Sequence, residues 1–117
     1  MIVCVMDDLM ASINISSLAK SIGGIELYFE RVPGKVLSSI RDKQPSLVIF
    51  DLNSRTMAPV AAIAAMKSDP ALARVRTLGF VSHVDADTVA GARAAGVDQV
   101  LARSAFFGGL RHILTNA

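Results

Sequence analysis

The chain has no tryptophan, a single cysteine, and aromatic residues at only 5% of its 117 positions. It also lacks runs of like charge: Lys and Arg are dispersed, and Arg74 with Arg76 is the nearest approach to a basic cluster. A net charge of +2 and a pI near 9.0 therefore do not describe a nucleic-acid-binding domain, which needs a basic stripe or rings for stacking bases. The lone Cys4 has no partner for an internal disulfide, and among Ile2, Val3, Val5 and Met6 it reads as a small buried hydrophobe. No segment offers the ~20 apolar residues of a membrane span. Met1 leads straight into an apolar segment without the layout of a signal peptide, so the expectation is a reducing, cytoplasmic setting.

What the chain does have is aliphatic bulk, at 52% hydrophobic and 19% charged residues. That is enough for one domain over 1–117, burying roughly two thirds of its unfolded surface, with Ala, Val, Ile and Leu filling the core. Four segments are apolar throughout: Ile2 to Met6, Leu47 to Phe50, Leu78 to Val81 and Val100 to Ala102. Such strands are buried on both faces and belong to a parallel sheet covered by helices. A fifth segment, Ile25 to Val32, alternates in part, with Ile25, Leu27 and Phe29 set against Glu26, Tyr28 and Glu30, and suits an edge strand.

Helices fit the intervals. One is expected over about Met10 to Ile22, with Ile13, Leu18 and Ile22 facing inward and Gly23-Gly24 stopping it. Pro33 opens a short helix carrying Val36, Leu37 and Ile40, and Pro45 ends that connection. Pro59 starts an Ala-rich helix that Asp69-Pro70 breaks, with Met57 and Met66 reading as core fillers. Asp85 to Ala95 is capped by Asp85 or Asp87 and stopped by Gly96, and a last helix spans about Ala105 to Leu114. Five β–α units in succession, joined by right-handed crossovers, give an α/β fold: a three-layer (βα)5 sandwich around a five-stranded parallel sheet.

Each of the apolar strands delivers a polar residue at its carboxyl end: Asp7 and Asp8, Asp51, Ser82, and Arg103. In parallel sheets ligands gather outside those ends, near the point where strand order reverses. Three carboxylates meeting there repel, and at least one pKa must rise. A hard divalent cation relieves the repulsion, and Mg2+ takes carboxylates, backbone carbonyls and waters. Asp7, Asp8, Asp51 and the Asn53 carbonyl are the candidate metal ligands. Asp51 is then placed to act as a nucleophile toward a phosphoryl group, with Ser82 and Arg103 contacting the phosphoryl oxygens. Arg103 as a plain structural counter-charge to the acids is an equal alternative. His83 is a packing residue at the rim of the site rather than a metal ligand, since no second His falls near it in the pattern.

These residues resemble a known family, the receiver domains of two-component signalling with the flavodoxin-like fold of chemotaxis response regulators. Val5-Met6-Asp7-Asp8 is similar to the family's acidic pair, Val48-Ile49-Phe50-Asp51-Leu52-Asn53 to its phosphoacceptor strand, and Ala94-Ala95-Gly96-Val97-Asp98 to the run before its last strand. The resemblance covers nearly the whole chain. It implies strand order 2-1-3-4-5, phosphorylation of Asp51 with Mg2+, a histidine kinase or phosphotransfer protein as donor, and a downstream protein partner; a homodimer is left open. A receiver is a signalling module, not an enzyme beyond its self-catalysed phosphotransfer and dephosphorylation.

The departures are as definite. Arg103 stands where the family has a lysine followed by proline, and a planar guanidinium is no substitute for a compact ammonium. Ser104 replaces that proline, Ser54-Arg55 replace a usual Met-Pro, and Pro59 replaces a usual Gly. His83 fills a place usually given to Ala or Gly and would gate phosphoryl access, so the loop of Ser82, His83 and Val84 would carry any output. Val100 replaces the aromatic that rotates on activation. Two readings follow: a working receiver, favoured by the intact acids, or a pseudo-receiver that is not phosphorylated and serves as a protein-interaction domain. Other chemistries fit less well. A haloacid-dehalogenase-type site needs a second acid two residues after the nucleophile, a flavodoxin's phosphate would be repelled by Asp7-Asp8, and no P-loop or Gly-rich dinucleotide loop is present.

Overall fold

A computed structural model describes residues 1–83 and 85–117. The first half of the chain forms β1 (Ile2–Val5), α1 (Leu9–Ile22), β2 (Leu27–Glu30), a 3-10 turn at Pro33–Lys35, α2 (Val36–Lys43) and β3 (Leu47–Asp51). The second half forms α3 (Pro59–Ser68), β4 (Arg76–Val81), α4 (Ala86–Ala95), β5 (Gln99–Ala102), α5 (Arg103–Gly108) and α6 (Leu110–Thr115). The strands pair in parallel as one five-stranded sheet in the order β2-β1-β3-β4-β5. Among the described residues no helix is long and apolar enough to cross a membrane.

The two-residue period of the strands divides the apolar side chains between two cores. Ile2, Cys4, Met6, Leu47, Ile49, Leu78 and Phe80 face α1, α5 and α6, meeting Ala11, Ile15, Ala19, Phe106, Leu110 and Leu114. Val3, Val5, Val48, Phe50 and Val81 face the other way, onto Val36 and Ile40 of α2, Ile63 and Met66 of α3, and Ala92 of α4. Cys4 lies within the first core as expected, and burial pushes its thiol pKa up to about 12, which keeps it protonated and inert. Met57 and Met66 are core fillers, as their neighbours suggested.

Caps set the helix ends. The Asp85 carboxylate accepts from the N–H groups of Asp87 and Thr88 and from the Thr88 hydroxyl, so Asp85, not Asp87, caps α4. Gly96 closes α4 at φ 103°, a left-handed conformation that costs a side-chain-bearing residue about 1 kcal/mol or more. At the amino ends of β4 and β5, Asp98 accepts from the N–H and hydroxyl of Thr77 and from the Lys67 ammonium, which itself also donates to the carbonyls of Ala73 and Val75. This network pins α3 to the last two strands, far from the carboxyl-end crevice.

Three local expectations are corrected. Ile13 is 55% exposed, because it sits about 200° around the helix from Ile15, and the inward stripe is Ala11, Ile15 and Ala19 with Leu18 and Ile22 at its margin. Glu30 is not on a solvated face: it is 3% exposed, and its carboxylate accepts from the Ser39 hydroxyl and the Val32 N–H. The last helix starts at Arg103 and breaks at Gly108-Gly109, two residues with poor helix propensity. Hydrogen bonds Gly109 N–H to Ala105 C=O and Ile113 N–H to Gly109 C=O, both 3.0 Å, nevertheless carry the chain in register across the break.

Candidate functional site

The sheet brings the polar strand ends together as the topology requires. β1 and β3 are neighbours, Val5 aligned with Phe50, and β3 and β4 are neighbours, Asp51 aligned with Phe80. Asp51 is therefore the last residue of a central strand, and it is only 6% exposed. Its Oδ1 accepts the N–H of Asn53 at 3.0 Å. Burial, followed by the negative charges of Asp8 and Asp7, raises its pKa above the usual carboxylate value, against the opposing pull of the Asn53 N–H and of Arg103. The repulsion expected of clustered acids is present, although desolvation is the larger cause.

Asp8 is engaged twice. One oxygen caps α1 by accepting the Ala11 N–H at 3.1 Å, and the other accepts Arg103 Nη1 at 3.2 Å. The Ala11 N–H first, and Arg103 after it, hold the Asp8 carboxyl below its ordinary range despite some desolvation. Asp7 is exposed and accepts the Ser54 hydroxyl at 3.0 Å. Ser54 also accepts the Met57 N–H at 3.3 Å, so it ties Asp7 to the turn that leads into α3.

Arg103 is the hub of the far side. The same Nη1 that meets Asp8 lies 3.0 Å from the Ser82 hydroxyl, which joins the ends of β1, β4 and β5 through one side chain. Asn53 spans the remaining gap: its Oδ1 accepts the N–H groups of Ser82 at 2.6 Å and His83 at 3.2 Å. His83 is exposed and lines a groove of about 670 Å3 together with Asn53, Ser54, Arg55, Pro59 and Asp85. The rim position expected of His83 is where it lies, while Val84, the third residue of that loop, falls outside the described residues. A second groove of about 670 Å3, lined by Arg76, Leu78, Asp98, Leu101, His112 and Ile113, opens at the opposite, amino ends of the strands.

Asp7, Asp8, Asp51, Asn53, Ser82 and Arg103 are thus gathered at one end of the sheet, with His83 at its edge. Among the described residues, no three His, Cys, Asp or Glu side chains stand close enough together to hold a metal ion. The donor chemistry still suits a hard cation, since Asp7 and Asp51 offer carboxylate oxygens and the charges of Asp8 and Asp7 add to burial in raising the pKa of Asp51. Asp8 is at the same time committed to the Ala11 N–H and to Arg103. Two contributors escaped the sequence reading. Ser54 is one, and its signal is local: a Ser whose hydroxyl accepts the N–H three residues on, ahead of a helix, is a common turn. Phe107 is the other, and its signal in the sequence is the doublet Phe106-Phe107, one of two adjacent aromatic pairs in the chain.

No family model matches the chain, and no curated protein does. Solved structures do. The Mn2+-bound response regulator Rcp1 is 18% identical, covers 96% of this chain and 89% of its own, and superposes with a TM-score of 0.78. A response regulator from Hahella chejuensis is 21% identical over 97% of this chain and 92% of its own, with a TM-score of 0.81. The chemotaxis response regulator CheY4 of Vibrio cholerae is 15% identical over 98% and 95%, with a TM-score of 0.80. The fold is therefore that of response regulator receiver domains, in a strongly diverged sequence, and the resemblance seen in the acidic pair and the phosphoacceptor-like strand stands at the level of the fold.

Proposed function

We propose that this chain is a receiver-type signalling module, one domain over 1–117, that accepts a phosphoryl group on Asp51 and changes its protein contacts in response. The observation that carries the proposal is Asp51 itself: a nearly buried carboxylate at the end of a central strand, flanked by Asp7 and Asp8 and faced by Ser82 and Arg103. Its free Oδ2 is the nucleophile in this reading, while the Asn53 N–H holds Oδ1 and orients the group. Attack on phosphorus forms an acyl phosphate and breaks the bond to the donor, a phosphohistidine of a histidine kinase or phosphotransfer protein, whose imidazole leaves. Asp7, Asp8, Asp51 and the Asn53 carbonyl would hold Mg2+, which neutralises charge on the phosphoryl oxygens when bound. Ser82 and Arg103 donate to those oxygens. The setting proposed is cytoplasmic, with a downstream protein as the second partner.

The test is mass spectrometry after incubation with acetyl phosphate and Mg2+. One phosphoryl group should be gained by the parent and none by Asp51→Asn. No gain in the parent would transfer support to the second reading, a pseudo-receiver kept for protein contacts. That reading has its own observation: the Asp8–Arg103 ion pair offsets one of the three acidic charges without any metal.

A further inference from the structure

Arg103 is held more firmly than a surface cation needs to be. Its guanidinium carbon lies 5.1 Å from the centre of the Phe107 ring and 5.9 Å from that of Phe80. Those rings are themselves fixed: Phe80 stacks on Phe106 at 4.6 Å, and Phe107 meets Phe106 edge-on at 4.9 Å and Phe80 at 6.0 Å. Phe80 and Phe106 are fully buried, so the trio is a rigid platform at the start of α5. A planar guanidinium can lie over aromatic faces and still direct an N–H outward. Here that N–H reaches Asp8 and Ser82 together, at 3.2 and 3.0 Å.

We propose that Arg103, pinned by Phe107 and Phe80, is a built-in counter-cation that occupies Asp8 in place of a divalent metal, so that metal binding requires this latch to open. The inference rests on the metal site of the receiver reading above. An inner-sphere ion at Asp8 competes with Nη1 for one carboxylate oxygen and shares the other with the Ala11 N–H that caps α1. It must also tolerate the guanidinium as a like charge beside it. Phe107 does not touch the metal site. It acts through Arg103 as a positioning residue, lowering the entropy the side chain would lose in holding Asp8. Releasing Asp8 would also free the Ser82 hydroxyl, so one event would unlock both a metal ligand and a phosphoryl contact.

The measurement is Mn2+ affinity by calorimetry, with no phosphoryl donor, for the parent and four variants, each first shown to unfold cooperatively in EDTA. Arg103→Gln removes the cation and should bind Mn2+ about tenfold more tightly. Phe107→Leu keeps every charge but loosens the guanidinium, and should bind about threefold more tightly, whereas Phe107→Tyr keeps the ring and should match the parent. Arg111→Gln makes the same charge change on α6, away from the crevice, and should also match the parent. If Arg103→Gln tightens binding and Phe107→Leu does not, the pinned latch is refuted and only a general charge effect is left. Equal affinities throughout refute the latch while leaving the metal site standing. No Mn2+ binding by any of the proteins at millimolar concentration refutes both the latch and the metal part of the receiver reading.

Discussion

Adding one methyl group at Gly79 should disturb the candidate site through the core rather than through solvent. Gly79 lies in the centre of β4, aligned with Phe50 of β3, and a Cβ built there would stand 2.6 Å from Leu52 Cδ1, 2.7 Å from Cγ and 3.0 Å from Cδ2. Real carbon contacts do not approach so closely, so Leu52 must shift, and it is itself only 3% exposed and packed among Phe50, Met57 and Val81. Overpacking of this kind costs ~1–3 kcal/mol. Replacing Gly by Ala restricts the unfolded chain and returns ~0.4–1 kcal/mol. The net loss should be about 1–2 kcal/mol, equivalent to a fall of about 1 M in the urea midpoint for a domain of this size. Leu52→Ala alone should cost ~2–5 kcal/mol through its cavity. In the double variant the new methyl occupies part of that space, so the two losses should fall short of additivity by ~1 kcal/mol or more. Because Leu52 separates Asp51 from Asn53, Gly79→Ala should also move the amide resonances of Asn53, Ser82 and His83. A midpoint unchanged from the parent, or an additive cycle, would refute the claim that Leu52 is wedged between sheet and site.

Two further outcomes follow from the crevice. In EDTA at neutral pH, Asp51→Asn should raise the denaturant midpoint. Burial and then the charges of Asp8 and Asp7 lift the folded pKa above the ordinary 3.8, so ionised Asp51 costs folding energy that a neutral amide does not. The stability contributed by the protonated group is complete below 3.8 and disappears as pH rises through the raised value, so the parent and the variant should converge in acid; a lower midpoint for the variant at neutral pH would mean that Arg103 already compensates Asp51. His83→Ala should speed phosphoryl incorporation from acetyl phosphate severalfold, because the imidazole lies at the rim groove beside Asn53, while Val100→Tyr should leave the initial rate near that of the parent. A His83→Ala rate no greater than the parent's would remove His83 as a gate.

The fold was legible because its signals were redundant. Strands such as Leu47 to Phe50 carry aliphatic side chains on both faces, and caps such as Asp85 and Gly96 are local events that one side chain decides. The polar strand ends were legible for the same reason: parallel strand topology alone brings Asp7, Asp8, Asp51 and Ser82 to one side. What stayed hidden depends on contacts between residues far apart in the chain. Glu30 looks solvated by alternation and is buried, with its carboxylate accepting from Val32 and from the hydroxyl of Ser39 on the helix after it. Ile13 looks apolar and inward, yet among the described residues no element buries that side of α1. The two roles weighed for Arg103 are separated by a few ångströms of geometry, and no spacing in the sequence encodes its 3.2 Å approach to Asp8.

The side chain of Asn53 bridges the loops after β3 and β4. Two consecutive N–H groups, of Ser82 and His83, point at its single amide oxygen. Successive backbone donors converging on one acceptor form the kind of concavity that proteins use to seat anions. Here the seat already holds an internal guest, a neutral oxygen carrying only a partial negative charge. An oxyanion arriving beside Asp51 would find these two N–H groups taken; to use them it would have to displace the amide, and its gain there would be the difference between a full charge and a dipole. Asn53 thus ties the β3 and β4 loops together through the same two N–H groups that such a concavity would turn toward a guest.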